Sequence, residues 1–134
     1  MLGNRDEFHA RPAAALHVWE APALVAGRDL RSGGTWMGAS SNGRAAVITN
    51  VRDGLPAPFN GPSRGALPAT FLAENKPYSE VTRKIADDAH DYAPFNLLLF
   101  DHTQATYIGN HPRRTQMRLA SGIFALSNGK FDEN

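Results

Sequence analysis

The sequence predicts an α+β domain built on an antiparallel sheet. Its 12 glycines and 9 prolines fall between short apolar segments, which indicates many short elements joined by tight loops. Strand-like segments come first, two segments with helical periodicity follow, and strand-like segments then return, with little sign of repeated β-α-β crossovers. That order is typical of an antiparallel sheet. At 134 residues, the chain is one domain or part of one.

The first clear element is a β-hairpin. Residues 36–40 and 44–50 have the pattern of two strands, and the turn Ser41-Asn42-Gly43 between them contains Asn-Gly, the strongest short-range hairpin signal. Residues 53–62 follow with three prolines and two glycines, so they cannot extend the ladder and are expected to form a surface loop.

Two helices are expected after that loop. Ser63 can accept a hydrogen bond from a free backbone amide at the start of the first helix, and Pro68 is tolerable only in its first turn. The apolar face of this helix comprises Leu67, Phe71 and Leu72. The second helix spans about residues 79–89, where apolar residues recur every four positions at Val81, Ile85 and Ala89.

Three later segments are predicted to be strands. Residues 95–100 are a nearly continuous apolar run, which fits a strand covered on both faces better than one half exposed to water. Residues 106–109 and 123–126 are the other two. The stretch between His9 and His17 is interpreted as a loop rich in proline and alanine, and Trp19 lies in the same loop-rich region.

Composition excludes several kinds of protein. Apolar residues make up 42% and charged residues 20%, as in ordinary globular proteins, and the net charge of +1 gives no reason to expect nucleic acid or an anionic membrane as partner. There is no cysteine, and therefore no disulfide, thiolate metal site or thiol nucleophile. No apolar run is long enough to span a bilayer and no signal peptide is evident, so a cytoplasmic location is expected.

Polar side chains gather at the ends of the predicted strands. Strand ends cluster on one rim of a sheet, where Asn and Arg could bind a carboxylate or thioester or stabilise a tetrahedral intermediate. The set comprises Asn4, Arg5, Asp6, Arg28, Asp29, Asn50, Arg52, Arg64, Asn96 and Asn110. The alternative is structural: the arginines pair with carboxylates and fix the sheet edges, namely Arg5, Arg28 and Arg64 with Asp6, Glu7 and Asp29.

Metal and nucleotide sites are disfavoured. The five histidines show no metal-ligand spacing, so zinc is not expected. The glycines around Thr35 lack the strand before and the helix after that a dinucleotide-binding loop needs, and they are better explained by tight turns and close packing. The large aromatic side chains are expected in the core, although Trp19 could line an apolar pocket: Trp19, Trp36, Phe71 and Phe95.

Short motifs follow one another along nearly the whole chain. They are Asn4-Arg5-Asp6-Glu7-Phe8, Ala26-Gly27-Arg28-Asp29-Leu30, Gly33-Gly34-Thr35-Trp36-Met37-Gly38, Ile48-Thr49-Asn50-Val51-Arg52, Ser63-Arg64-Gly65, Phe95-Asn96-Leu97-Leu98 and Leu126-Ser127-Asn128. In this order and spacing they resemble the NRDE-motif family, the transport and Golgi organisation protein 2-like proteins. The resemblance implies the amino-terminal-nucleophile hydrolase architecture, an αββα sandwich of antiparallel sheets.

The chain departs from the family pattern at both ends. Family members usually begin with a Met-Cys pair on a strand before the NRDE segment, and that cysteine is the proposed nucleophile. This chain begins Met1-Leu2-Gly3, and the family domain tends to continue well past the Leu-Ser-Asn motif. The resemblance therefore implies that residues 1–134 are a partial domain, without the first strand and the C-terminal part, whose exposed sheet edge would favour a homodimer.

Two functions follow from the resemblance. The preferred one is a non-catalytic carrier of a small anionic and apolar ligand (haem, an acyl-CoA or a lipid), with a role in secretory and Golgi organisation as in eukaryotic relatives. Its ligand-binding residues would be Asn4, Arg28, Asp29, Arg52, Arg64 and Asn96. The alternative is an amidohydrolase-like enzyme whose cysteine is missing, with Arg5 and Asp6 near the nucleophile and Asn50 and Asn110 as oxyanion or substrate-amide contacts.

Overall fold

A computed structural model describes residues 7, 9–52, 59–129 and 131 of the chain, and in this part the predicted α+β class is confirmed. Seven strands form one sheet in the order of the sequence, with every neighbouring pair antiparallel. They are β1 (Ala13–Trp19), β2 (Leu24–Asp29), β3 (Met37–Ser40), β4 (Ala45–Asn50), β5 (Phe95–Phe100), β6 (Ala105–Gly109) and β7 (Thr115–Leu119). Two helices, α1 (Ala66–Ala73) and α2 (Tyr78–Asp88), lie between β4 and β5, and a short 3-10 turn (Ala89–Asp91) follows α2.

Both helices contribute to one hydrophobic core against one face of the sheet. From the helices come the predicted residues Leu67, Phe71, Leu72, Val81 and Ile85, all 5% exposed or less. From the sheet come side chains of alternate positions, including Leu24, Ala26, Ala46, Ile48, Leu97 and Leu99. Because side chains of a strand alternate between faces, residues 47, 49, 96 and 98 belong to the opposite face, which is called the open face below.

The hairpin, the two helices and two of the later strands are confirmed. β3 and β4 pair around Gly43, which adopts the positive φ of 81° that the turn requires and glycine tolerates. Residues 95 to 99 of β5 are buried, as expected for a strand covered on both faces. Of the predicted surface loop, residues 53–58 lie outside the described part of the chain.

Three local expectations are wrong. Residues 123–126 form no strand and Ile123 is fully exposed, while the strand lies earlier, at β7. The supposed loop before Trp19 is β1, whose weakly strand-forming alanines are held by pairing with β2, and Trp19 itself is core. Ser63 accepts the amide hydrogen bond of Ala66 through its backbone carbonyl (3.0 Å) rather than through its side chain.

The open face is covered in part by residues 120–129, here called the C-terminal strap. The strap has no regular secondary structure, and just beyond it Phe131 stacks on Tyr107 of the open face with ring centres 4.3 Å apart. The described residues therefore supply one sheet and one helical layer, and a second sheet remains a prediction from the family resemblance. None of the helices described is long and apolar enough to cross a membrane.

Candidate functional site

A cavity of about 600 Å³ lies between the open face and the C-terminal strap. Polar and apolar surface line it in about equal parts, and the apolar lining consists of Trp36, Met37, Val47, Ile48, Leu98, Phe100, Leu119, Ile123, Phe124 and Leu126. One end is polar, where β2 and β4 end and α1 begins, and the polar lining there consists of Glu7, Arg11, Asp29, Thr35, Asn50, Ser63 and Arg64. A volume and lining of this kind are typical of small-molecule sites.

Asn96 fastens the strap to the sheet. Its amide nitrogen donates to the carbonyls of Ser127 (3.3 Å) and Gly129 (2.7 Å), and its oxygen accepts from the Tyr107 hydroxyl at 2.8 Å. Thr49 adds a hydrogen bond to the Ser127 carbonyl at 2.8 Å. Asn96 is 1% exposed and its amide is engaged at both ends, so the structure explains this residue of the motif without a ligand.

Asn128 makes the second attachment. Its amide nitrogen donates to the carbonyl of Asn50 (2.8 Å), and its own carbonyl accepts from the backbone amide of Arg52 (2.9 Å). Residues 50 and 52 of the fourth motif thus bind the last motif through their backbones. The Asn50 side chain belongs to the cavity lining, whereas exposed Arg52 does not.

Asn110 lies at the same edge of the sheet, but its side chain forms hydrogen bonds to the backbone of neighbouring segments. Its oxygen accepts from the Phe95 amide (2.9 Å), and its nitrogen donates to the carbonyls of Ala89 and Tyr92 (2.9 Å each). These bonds tie the end of β6 to the 3-10 turn and the start of β5. An oxyanion contact by Asn110 would have to break them, so its catalytic role remains a prediction without geometric support.

Asp29 forms the main ion pair of the polar end, and its partner is Arg11. The guanidinium donates through Nε (3.0 Å) and Nη2 (2.5 Å), while Ser32 Oγ (2.7 Å) and the Arg31 amide (3.0 Å) donate to the same carboxylate. Burial alone would raise the pKa of Asp29, but these hydrogen bonds and the charge of Arg11 hold it far below its usual range. The pairing of Asp29 with Arg28 or Arg64 that the structural alternative supposed is therefore wrong.

Arg28 and Asp29 are neighbours in sequence but lie on opposite faces of β2. The Arg28 guanidinium lies 4.4 Å from the ring centre of Trp19, a core residue of the helix-covered face, and its Nε donates to the Gly33 carbonyl at 3.3 Å. Arg28 is not part of the cavity lining. Its predicted ligand-binding role therefore has no support from its position, because strand alternation directs it away from the cavity.

Arg64 is a half-buried cation in the lining of the cavity. One of its terminal nitrogens donates to the Pro94 carbonyl at 2.8 Å. Burial lowers the pKa of Arg64, the nearby positive charge of Arg11 lowers it further, and the carboxylate of Glu7 opposes them without reversing the shift. Arg64 is therefore a cation that the described surroundings compensate only partly.

Two glycine-containing loops bring Arg64 into place. A methyl group added at Gly34 would lie 2.5 Å from the carbonyl carbon of Gly65, so the two backbones touch only because Gly34 lacks a side chain. Thr35 donates its amide to the Gly65 carbonyl at 3.0 Å, and its side chain is 2% exposed. The close packing predicted for the glycines around Thr35 is confirmed at Gly34.

The remaining predicted site residues, Asn4, Arg5 and Asp6, lie outside the described residues. Sequence reasoning missed Arg11, Thr35, Ser63 and the strap as parts of the cavity. Arg11 could have been found only by recognising β1, because pairing of β1 with β2 is what sets Arg11 beside Asp29. In the described part of the chain, no three His, Asp or Glu side chains are placed to hold a metal ion.

Comparison with known proteins identifies the family. The model of the Transport and Golgi organisation 2 family matches residues 1–134, the whole chain. The chain belongs to this family. In this member of the Transport and Golgi organisation 2 family, the motifs that resemble NRDE proteins make specific packing contacts: the Gly-Gly-Thr and Ser-Arg-Gly loops touch, and the Leu-Ser-Asn segment is fastened by Asn96 and Asn128.

Mammalian relatives align with nearly the whole of this chain. A Transport and Golgi organization protein 2 homolog of Bos taurus is 34% identical over 138 residues, and one of Homo sapiens is 30% identical over 137 residues. A mouse homolog of the same family is 28% identical over 137 residues. Each alignment covers 96% of this chain and 49% of the relative, so the chain spans about half the length of the proteins it matches.

Proposed function

We propose that this domain binds and carries a small ligand with an anionic group and a large apolar part, such as an acyl-CoA or haem. The observation that carries the proposal is a cavity that has apolar side chains along one part of its lining and the half-buried Arg64 at its polar end. An apolar ligand part would gain burial against Leu98, Phe100 and Met37, while the anionic group would lie near Arg64.

The charges at the polar end favour Arg64 over Arg11 as the residue that binds the anionic group of the ligand. The carboxylate of Asp29 already takes two hydrogen bonds from Arg11, so Arg11 could bind a ligand anion only by sharing its charge. Burial and the charge of Arg11 both lower the pKa of Arg64. An anion bound beside Arg64 would favour its charged form and so oppose this shift. Glu7 lies at the same end and would repel the ligand, which favours anions that reach Arg64 from the apolar side.

The proposal agrees with the names in the family without depending on them. The family model and the bovine and human relatives are named for transport and Golgi organisation. Carrying an apolar anion is one molecular activity that a role in transport could use. No bond-breaking step is required, and the cysteine on which the enzyme alternative depends is absent from this sequence.

Titration of the purified protein with palmitoyl-CoA and, separately, with haem tests the proposal. Trp36 lines the cavity, so its fluorescence should change on binding with micromolar affinity, and Trp19→Phe removes the signal of the only other tryptophan. Arg64→Met should weaken binding about tenfold or more, the usual effect of losing a charged hydrogen bond. Arg28→Ala is the matched control, because its side chain lies on the other face. Equal affinity in folded Arg64→Met, or no binding by the unmodified protein, would overturn the proposal.

A further inference from the structure

The C-terminal strap is exposed along its first part and bonded to the sheet along its last part. Its end at Ser127 to Gly129 is bound to β4 and β5 by the side chains of Thr49, Asn96 and Asn128. Residues 121–125 ahead of it are exposed, although Ile123 and Phe124 both line the cavity. The exposed residues therefore lie between two held points, since β7 ahead of them pairs with β6 as far as Leu119 and the end of the strap is bonded to β4 and β5.

Ile123 and Phe124 are placed where a ligand would bury them. Ile123 is 100% exposed and Phe124 39% exposed, and both are next to an apolar cavity. Large apolar side chains gain free energy when water is removed from them, and an apolar ligand beneath the strap offers the surface needed. The ring of Phe124 already lies 5.8 Å from that of Phe131, which itself stacks on Tyr107 of the open face.

We propose that residues 121–126 are a gate that closes over the apolar part of the bound ligand, with Ser127 to Gly129 as its fixed base. This inference rests on the proposed function, because the ligand supplies the surface on which the gate closes. Gly122 lies near the start of the gate, where a residue without a side chain gives the backbone more conformational freedom. Closure would govern how long the ligand stays bound more than how fast it enters.

A single fluorescent label reports the gate directly. The sequence has no cysteine, so Ile123→Cys labelled with bimane carries one dye, and the change of an exposed side chain does not disturb the core. Adding palmitoyl-CoA should shift the bimane emission to shorter wavelength as residue 123 leaves water. The control is Ser79→Cys, an exposed site on α2, whose labelled form should not respond. Calorimetry on the unlabelled protein measures binding independently.

The outcomes separate the gate from the proposed function. If calorimetry detects binding but the dye at residue 123 keeps its emission, or if both labelled sites shift alike, the gate is wrong and the carrier function stands. If calorimetry detects neither palmitoyl-CoA nor haem, the carrier function fails and the gate fails with it. A shift at residue 123 alone, together with measured binding, supports both.

Loosening the base gives a second test. Asn128→Ala removes the hydrogen bond to the Asn50 carbonyl, and it should raise the dissociation rate of palmitoyl-CoA about tenfold in stopped-flow displacement. Asn75→Ala, at an exposed position after α1, should leave the rate unchanged. If Asn128→Ala does not fold, as judged by circular dichroism, Ile123→Gly shortens the gate side chain instead. An unchanged dissociation rate in the folded variant means that the strap is only a fixed wall.

Discussion

At the scale of single residues, Arg44 is the polar side chain on which the fold depends most visibly. It is 7% exposed, and its guanidinium donates to the carbonyls of Phe71 (3.2 Å), Glu74 (2.5 Å) and Lys76, at and after the C-terminal end of α1. It also lies 5.0 Å from the ring centre of Phe71. A helix end leaves carbonyls without partners, and Arg44 supplies donors from the neighbouring strand.

Arg44→Met should therefore lower the free energy of unfolding by about 3 kcal/mol. Methionine fills similar space but leaves these carbonyls without their donors, and each buried unsatisfied group costs roughly 1–3 kcal/mol. Urea unfolding followed by circular dichroism measures the change. Arg83→Met, at an exposed position of α2, is the control and should change stability by about 0.5 kcal/mol or less. A loss below about 1 kcal/mol in Arg44→Met would show that water replaces the guanidinium.

The hydrogen bonds of single residues also explain why some polar motif residues are structural while another is a candidate for ligand binding. Asn96 and Asn110 use their amides fully in the fold, whereas Arg64 keeps a charge that its surroundings only partly offset. In the sequence all three belong to the set of polar residues assigned to the ends of predicted strands. Their partners come from segments far away in sequence, so side-chain type alone could not separate the structural residues from the candidate binding residue.

At the scale of elements, the polar end of the cavity is built by the contact of two loops. The loop before β3 contributes Gly34 and Thr35, and the loop before α1 contributes Arg64 and Gly65. The close approach of Gly34 to Gly65 sets the position from which Arg64 reaches the cavity. Loop packing and ligand binding are thus expected to change together.

Gly34→Ala should disturb both. The added methyl group would lie 2.5 Å from the Gly65 carbonyl carbon, which forces the backbone to move. The midpoint of thermal unfolding should fall by about 5 °C or more, and palmitoyl-CoA affinity should fall with it. Gly129→Ala is the control for melting, since its nearest new contact, with Ser127 Oγ at 3.5 Å, is an ordinary one. If the melting temperature and the affinity are both unchanged, the two loops can separate without loss of stability or of ligand binding.

At the scale of the whole molecule, the two outer strands of the sheet are protected unequally. β7 carries Arg118 and follows Arg113 and Arg114, whereas β1 contains neither proline nor a formally charged residue. In β1, Leu16 is 72% exposed and Val18 68% exposed. Natural edge strands usually carry charges or prolines that prevent pairing with another chain, and within the described residues the outer side of β1 has no partner strand.

Self-association through β1 is therefore expected. The protein should show a concentration-dependent increase in mass by light scattering after gel filtration, and Val18→Lys should return it to a monomer because lysine on an edge opposes strand pairing. Leu30→Lys, which changes another exposed apolar residue (58% exposed) outside the strand, is the control. A monomer at the highest soluble concentration would refute association through this edge.

The amino-acid sequence by itself determined the local elements and the family. The Asn-Gly turn, the helical periodicity of residues 79–89 and the apolar run of β5 act over short distances, so they could be read without knowing the rest of the fold. The missed strands, β1, β2 and β7, lack such a local pattern. β1 begins with three alanines and is held by its pairing with β2.

Only the tertiary structure decided where the candidate site lies. Strand alternation separated Arg28 from Asp29, pairing of β1 with β2 brought Arg11 to Asp29, and the strap enclosed the cavity through Asn96 and Asn128. Each of these contacts joins residues that are far apart in sequence or turns neighbours to opposite faces. Such arrangements depend on sheet register and packing, which no short stretch of sequence specifies.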